Sequence, residues 1–178
     1  MDSNFSIRKA DVTDAKAIAK VHVDSWRTTY ANIVPDDYLT NLSYESREQN
    51  WQKTIPNGGV FVAENDAGDI VGFASGGKER SGKYSGFEGE LYAIYILQEY
   101  QGRGIGRALM TAIVDVIKRM GWTSMLILVL KDNHACQFYE TLGAQKLDTV
   151  DIHIAGKKLA EIVYGLEEFK NLELQNHL

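Results

Sequence analysis

Leu91-Tyr-Ala-Ile-Tyr-Ile-Leu-Gln-Glu-Tyr-Gln-Gly-Arg-Gly-Ile-Gly106 is the stretch whose reading decides the fold. Its first six residues are apolar and β-prone, the pattern of a buried strand. Its last six carry glycine at 102, 104 and 106. Arg107–Met120 follows with apolar residues at Leu109, Ala112, Ile113, Val116, Ile117 and Met120, one face of a helix. Gly121 stands where that helix stops. The unit is therefore strand, glycine-rich turn, helix. Glycines allow positive φ and a close approach of the backbone to a ligand. Successive N–H groups at the positive end of a helix dipole form an anion site. Arg103 and Arg107 add charge there, so a diphosphate is the natural guest.

Two common phosphate motifs do not fit. Gly-x-Gly-x-x-Gly started at Gly102 needs glycine where Arg107 stands, and the triplet Gly-Lys-Ser/Thr does not occur. What fits is Gln/Arg-x-x-Gly-x-Gly/Ala, as Gln101-Gly-Arg-Gly104-Ile-Gly106. It resembles the pyrophosphate-binding signature of the GNAT superfamily of acyl-CoA N-acyltransferases. A second stretch, Asn133-His-Ala-Cys-Gln-Phe-Tyr-Glu-Thr-Leu-Gly143, is similar to that family's Asn-x-x-Ala-x-x-Phe-Tyr-x-x-x-Gly segment. The stretch from His22 to Tyr30 and on through Pro35–Leu39 looks like a common bacterial branch of the same superfamily.

Away from these motifs the chain reads as one domain. Its 178 residues suffice for a full core. Apolar content of 44% and charged content of 24% are those of an ordinary globular protein. The net charge of −5 disfavours nucleic acid as a partner. One cysteine, Cys136, excludes an internal disulfide and a cysteine-based zinc site. Four scattered histidines, none in an i,i+4 pair, argue against a metal. The N-terminus lacks a basic segment followed by an apolar run, and no apolar run reaches spanning length. The expected location is the cytoplasm, without membrane contact.

In order, the chain predicts a strand over 5–10, a helix capped by Thr13, a turn from Thr28 to Val34, and a short helix from Pro35 to Leu39. Ser43 caps a further helix, Tyr44–Lys53. Val60–Glu64 and Ile70–Ser75 form a hairpin, and 76–89 reads as a polar loop. After the central unit come strand Thr123–Leu130, helix Asn133–Leu142 and a hairpin of 144–154 with 157–166. The polar stretch 171–178 reads as a tail beyond a single domain over 1–170. This order resembles the GNAT fold: α/β, a mixed central sheet of about six to seven strands with flanking helices.

The resemblance implies an acetyl-CoA-dependent N-acetyltransferase acting on a small-molecule or peptide amine, with no metal. It places Gln101, Gly102, Arg103, Gly104, Ile105, Gly106 and Arg107 on the diphosphate. Tyr95, Ile96 and Leu97 would lie along the pantetheine arm, beside a bulge that frees their peptide groups. Asn133, Ala135 and Phe138 would line the cofactor. Tyr139 would protonate the departing thiolate, as a phenol neutral near pH 7 can. Glu90, eleven residues before Gln101, stands where histone acetyltransferases of the superfamily place a base, with Glu88 as substitute. Freeing an alkylammonium of its proton at pH 7 costs about 4–5 kcal/mol, which a carboxylate or a water it holds can offset. Trp26 and Tyr30 would wall the acceptor pocket, ordinary aromatic packing being the competing reading. Competing functions are a CoA-binding sensor without catalysis and a nucleotide-binding regulatory module. The acceptor's identity and a homodimer stay open.

Overall fold

The computed structural model describes residues 4–169 and Leu172. Seven strands form one sheet in the order β1-β2-β3-β4-β5-β7-β6. They are β1 (Phe5–Lys9), β2 (Val60–Asn65), β3 (Ile70–Lys78), β4 (Gly89–Ile96), β5 (Ser124–Leu130), β6 (Gln145–Ile154) and β7 (Lys157–Glu167). Helices α1 (Ala15–Thr29), α2 (Asp36–Thr40) and α3 (Tyr44–Thr54) precede β2. Helix α4 (Ile105–Arg119) joins β4 to β5, and α5 (Ala135–Thr141) joins β5 to β6. Among the described strands only the β4–β5 pair is parallel, as a helical crossover requires. The expected mixed α/β architecture is what forms.

Each sheet face has its own core. Ile105, Leu109, Met110, Ile113 and Ile117 of α4 pack with Ala63, Val71, Ala74 and Leu91 on one face. Ile18 and Ala19 of α1 and Trp51 of α3 pack with Val62 and Phe73 on the other. Truncating a fully buried residue such as Leu109 to alanine costs about 2–5 kcal/mol. Strand β3 runs three residues beyond the predicted Ser75, through glycines that read as loop. Gly76 is there for clearance: an added Cβ would lie 2.7 Å from Ile113 Cγ2 and 2.9 Å from the Glu90 carbonyl oxygen.

Several boundaries differ from the sequence reading. Asp11, not Thr13, caps the short 3-10 turn Val12–Asp14 that leads into α1. Helix α1 continues to Thr29, with Tyr30 as its C-cap, where a turn from Thr28 was expected. Helix α4 starts at Ile105 because Gly104 takes the left-handed conformation as its N-cap. Of the predicted tail 171–178, only Leu172 is described, and it is buried in the α4-side core.

Two features of β4 create the site. The register shifts between Ser75 and Gly76, which pair with Ala93 and Leu91, so Tyr92 is an extra, bulged residue. Leu91 faces the α4 core, so Glu90 faces the α1 side. Tyr95, five residues on, would face away without the bulge but packs against α1 residues. The bulge expected near Tyr95–Leu97 therefore lies farther back. Second, β4 pairs with β5 only over Gly89–Leu91 and Met125–Ile127. Past that point the strands part.

Candidate active site

A cavity of about 720 Å³ opens where β4 and β5 part. Twelve of the predicted site residues line it: Tyr30, Tyr95, Ile96, Gln101, Gly102, Gly104, Gly106, Arg107, Asn133, Ala135, Phe138 and Tyr139. They come from the end of α1, from β4, from the glycine turn and from the start of α5.

At the glycine turn the chemistry is that of an anion cradle. Gly102 and Gly104 hold φ of 76° and 85°, and an added Cβ at either would meet nothing within 4 Å. The first α4 backbone bond runs from the Ala108 N–H to the Gly104 carbonyl, 3.1 Å. Among the described residues the amides of 102–106 donate to no acceptor. Five consecutive free N–H groups at the positive end of a 15-residue helix suit a diphosphate. The Gln101 side-chain Nε2 donates to the Ile96 carbonyl at 3.1 Å and ties the turn to the end of β4.

Opposite the turn lies a network that the sequence did not disclose. The Tyr30 and Tyr95 hydroxyls are 3.2 Å apart. Asn133 Nδ2 donates to the Tyr30 hydroxyl at 3.2 Å, while its Oδ1 accepts the Ala135 N–H at 2.9 Å. The end of α1, the middle of the sheet and the start of α5 are thus pinned together. Burial pushes the Tyr30 and Tyr95 phenols above their ordinary pKa. Tyr139 is 4% exposed, and burial raises its pKa as well, which keeps it a protonated donor at neutral pH.

Five predicted residues lie outside the cavity lining. Ile105 is a buried core residue. Arg103 stacks over Tyr100, 5.0 Å from the ring centroid, and donates to the Glu99 carbonyl. Leu97 packs between the two cores, and its N–H is taken by the Val71 carbonyl at 2.9 Å. Trp26 stands behind Tyr30 and Tyr95 in an aromatic cluster, the competing packing role. Glu90 is 4% exposed. Its Oε1 accepts the Arg80 N–H at 3.1 Å, and its Oε2 accepts Arg80 Nε and Nη2 at 3.1 and 2.5 Å. Arg80 in turn covers the Tyr92 ring at 4.1 Å. Glu90 thus sits one residue behind the cavity wall and anchors the loop after β3. Glu88 is exposed.

Two other reactive side chains are accounted for. His22 Nδ1 accepts the Trp51 indole N–H at 3.2 Å, and burial lowers its pKa to about 4. The Cys136 thiol faces the Leu130 carbonyl at 3.5 Å, and burial pushes its pKa up, away from a reactive thiolate. Among the described residues no group of His, Cys, Asp and Glu is placed to hold a metal ion. No described helix is long and apolar enough to cross a membrane.

The same assignment comes from comparison with known proteins. The acetyltransferase (GNAT) family profile matches residues 21–144. YuaI of Bacillus subtilis, described as an uncharacterized N-acetyltransferase, is 42% identical over 168 residues, covering 94% of this chain and 96% of its own. An L-methionine sulfoximine/L-methionine sulfone acetyltransferase of Pseudomonas aeruginosa is 30% identical over 135 residues, 73% of each chain. The PaiA N-acetyltransferase of Thermoplasma acidophilum, solved with coenzyme A, aligns with TM-score 0.71 at 20% identity, over 94% of this chain and 99% of that one. YncA of Salmonella typhimurium, solved with acetyl-CoA, aligns with TM-score 0.70 at 24% identity, over 93% and 94%. The profile match and the 42% identity extend over the glycine turn, the cavity and the α5 segment, and on them the chain belongs to the GNAT family as an acetyl-CoA-dependent N-acetyltransferase.

Proposed function

We propose that the chain transfers the acetyl group of acetyl-CoA directly to a primary amine of a small molecule or peptide, with both substrates bound together. One observation carries this reading: the free amides of the glycine turn, the buried phenol of Tyr139 and the end of α1 all border a single cavity. The amides of 102–106 would hold the diphosphate. The pantetheine arm would run along Tyr95, Ile96, Ala135 and Phe138 into the gap between β4 and β5. The amine would enter from the α1 side, past Tyr30. Its nitrogen attacks the thioester carbonyl, the carbon–sulfur bond breaks, and Tyr139 gives its proton to the departing thiolate. Glu90 would take the ammonium's proton through water, since both of its carboxylate oxygens already accept from Arg80. Cys136, whose half-buried thiol lies against the Leu130 and Lys131 carbonyls with no activating base as hydrogen-bond partner among the described residues, favours direct transfer over an acetyl-cysteine intermediate.

The test is an amine panel with acetyl-CoA, followed by thiol release. The account expects at least one amine to release thiol well above the amine-free rate, with acetylated amine as product. Saturable acetyl-CoA binding with no amine-dependent release would overturn it in favour of a binding protein.

A further inference from the structure

Strand β7 carries one residue out of pattern. On the sheet face that looks toward α1 and α2, its side chains read Leu159, Glu161, Val163. Leu159 and Val163 are buried, whereas Glu161 is half-buried. Glu161 pairs across with Leu130 on β5 and with Val150 on β6. A carboxylate therefore stands with apolar neighbours before, after and on both sides. Period-2 patterning calls for an apolar residue here, and a break of that kind marks function when nothing compensates it.

Nothing does. Among the described residues the Glu161 carboxylate accepts no hydrogen bond and meets no cation, and the charge that acts on it is that of a second carboxylate, Glu90. Three cations of the neighbouring elements are committed elsewhere. Lys157 donates to the Ile33 carbonyl at 2.8 Å, Lys158 pairs with Asp151 at 3.3 Å, and Arg80 pairs with Glu90. A half-buried carboxylate without a partner is costly, and an incoming cation would offset that cost.

Its position relative to the cavity says which cation. Tyr30 packs in one cluster with Leu130 and Leu159, the residues that flank Glu161, and also lines the cavity beside Tyr139. Leu128, on the same face two residues before Leu130, is an exposed apolar side chain lining that cavity. Glu161 is not itself in the cavity lining; it lies on the α1 side beyond Tyr30, which borders the cavity together with Tyr139. An amine reacting near Tyr139 would place at Glu161 a group farther along the same molecule.

We propose that Glu161 binds a second, non-reacting cationic group of the acceptor, so that the cavity selects dibasic amines over monoamines. The assignment rests on the acetyl-transfer reading for the meaning of "acceptor", but its test does not need turnover. CoA-saturated protein is titrated by calorimetry with 1,4-diaminobutane and with butylamine, as wild type and as Glu161→Gln. A charge-assisted contact of this kind corresponds to roughly 10- to 100-fold in affinity. The expected result is that preference for the diamine in wild type and its loss in the variant, with butylamine affinity little changed. Equal affinities in wild type, or a preference that survives Glu161→Gln, would overturn the proposal.

Thermal unfolding supplies a second readout. Removing an unpaired carboxylate from apolar surroundings should leave Glu161→Gln at least as stable as wild type and make Glu161→Leu more stable. A fall in both melting temperatures would mean that Glu161 is structural, against the proposal. Thiol release separates the two readings. Diamine preference without release with any amine keeps the binding site and rejects acetyl transfer; release without preference does the reverse.

Discussion

Gly104→Ala, set beside Gly68→Ala, isolates the role of the glycine turn. Both glycines sit near the same left-handed φ, +85° and +84°, and at neither would an added Cβ meet another atom within 4 Å. The intrinsic strain of an alanine there is therefore similar, about 1–2 kcal/mol. The two sites differ in what holds the backbone. The hairpin turn at Gly68 is locked by the Gly68 N–H on the Asn65 carbonyl and by the Asn65 side chain, which accepts from Ala67 and Asp69. The turn at Gly104 has no such bonds on its amides. Gly68→Ala must keep its strain, so it should lose about 2–8 °C in Tm, at 2–4 °C per kcal/mol for a domain of this size, and bind CoA as wild type does. Gly104→Ala can relax in the free protein and so lose less Tm. Rebuilding the cradle then costs about 1–2 kcal/mol on binding, a Kd for CoA about 5- to 30-fold higher. Differential scanning fluorimetry and calorimetry read the two quantities. Wild-type CoA affinity in Gly104→Ala, with a Tm loss equal to that of Gly68→Ala, would refute the reasoning.

Tyr139→Phe removes one hydroxyl from a buried ring. Acetyl-CoA affinity should hold while the chemical step slows by about 10²–10⁴-fold, and an unchanged chemical rate rejects the proton-donor role. Glu90→Gln should lower kcat/KM most near neutral pH, the deficit shrinking as pH approaches the amine's own pKa. Arg80→Ala tests the alternative: if Glu90 only anchors the loop, both variants lose activity equally at every pH. His22 gives a stability signature. Its folded pKa of about 4 lies below the unfolded value of about 6.5, so the unfolded chain binds the proton first. The contribution of His22 is fully present above pH 6.5 and is lost as pH falls toward 4, up to about 3 kcal/mol. NMR of the imidazole should show it neutral at pH 6, and a protonated ring there would contradict the packing account.

The strand–turn–helix unit was legible because three local signals agreed: an apolar run, glycines at 102, 104 and 106, and helical spacing after them. Gly76 and Gly77 misread as loop for a tertiary reason, since the closeness of Ile113 to Gly76 and of the Tyr92 ring to Gly77 is invisible to local propensity. The glycine-turn residues and Tyr139 could be named by motif. The hydroxyl–amide network could not, because Asn133 and Tyr30 lie 103 residues apart. The Arg80 partner of Glu90 was hidden likewise, in a loop whose path no pattern fixes. Glu161 did leave a trace, a charge in the middle of the alternation Leu159–Val163. Reading it needed the sheet register, which places it opposite Leu130 on the α1 side.

Direct transfer is the claim on which the rest depends, and a single-turnover experiment tests it. Enzyme in excess over acetyl-labelled acetyl-CoA is mixed with a competent amine from the panel, quenched over time, and divided into CoA ester, protein and amine fractions. The account predicts that label passes from thioester to amine with no acetylated protein at any time. Label on the protein, at Cys136 or elsewhere, that forms and decays fast enough to precede the acetylated amine would contradict it.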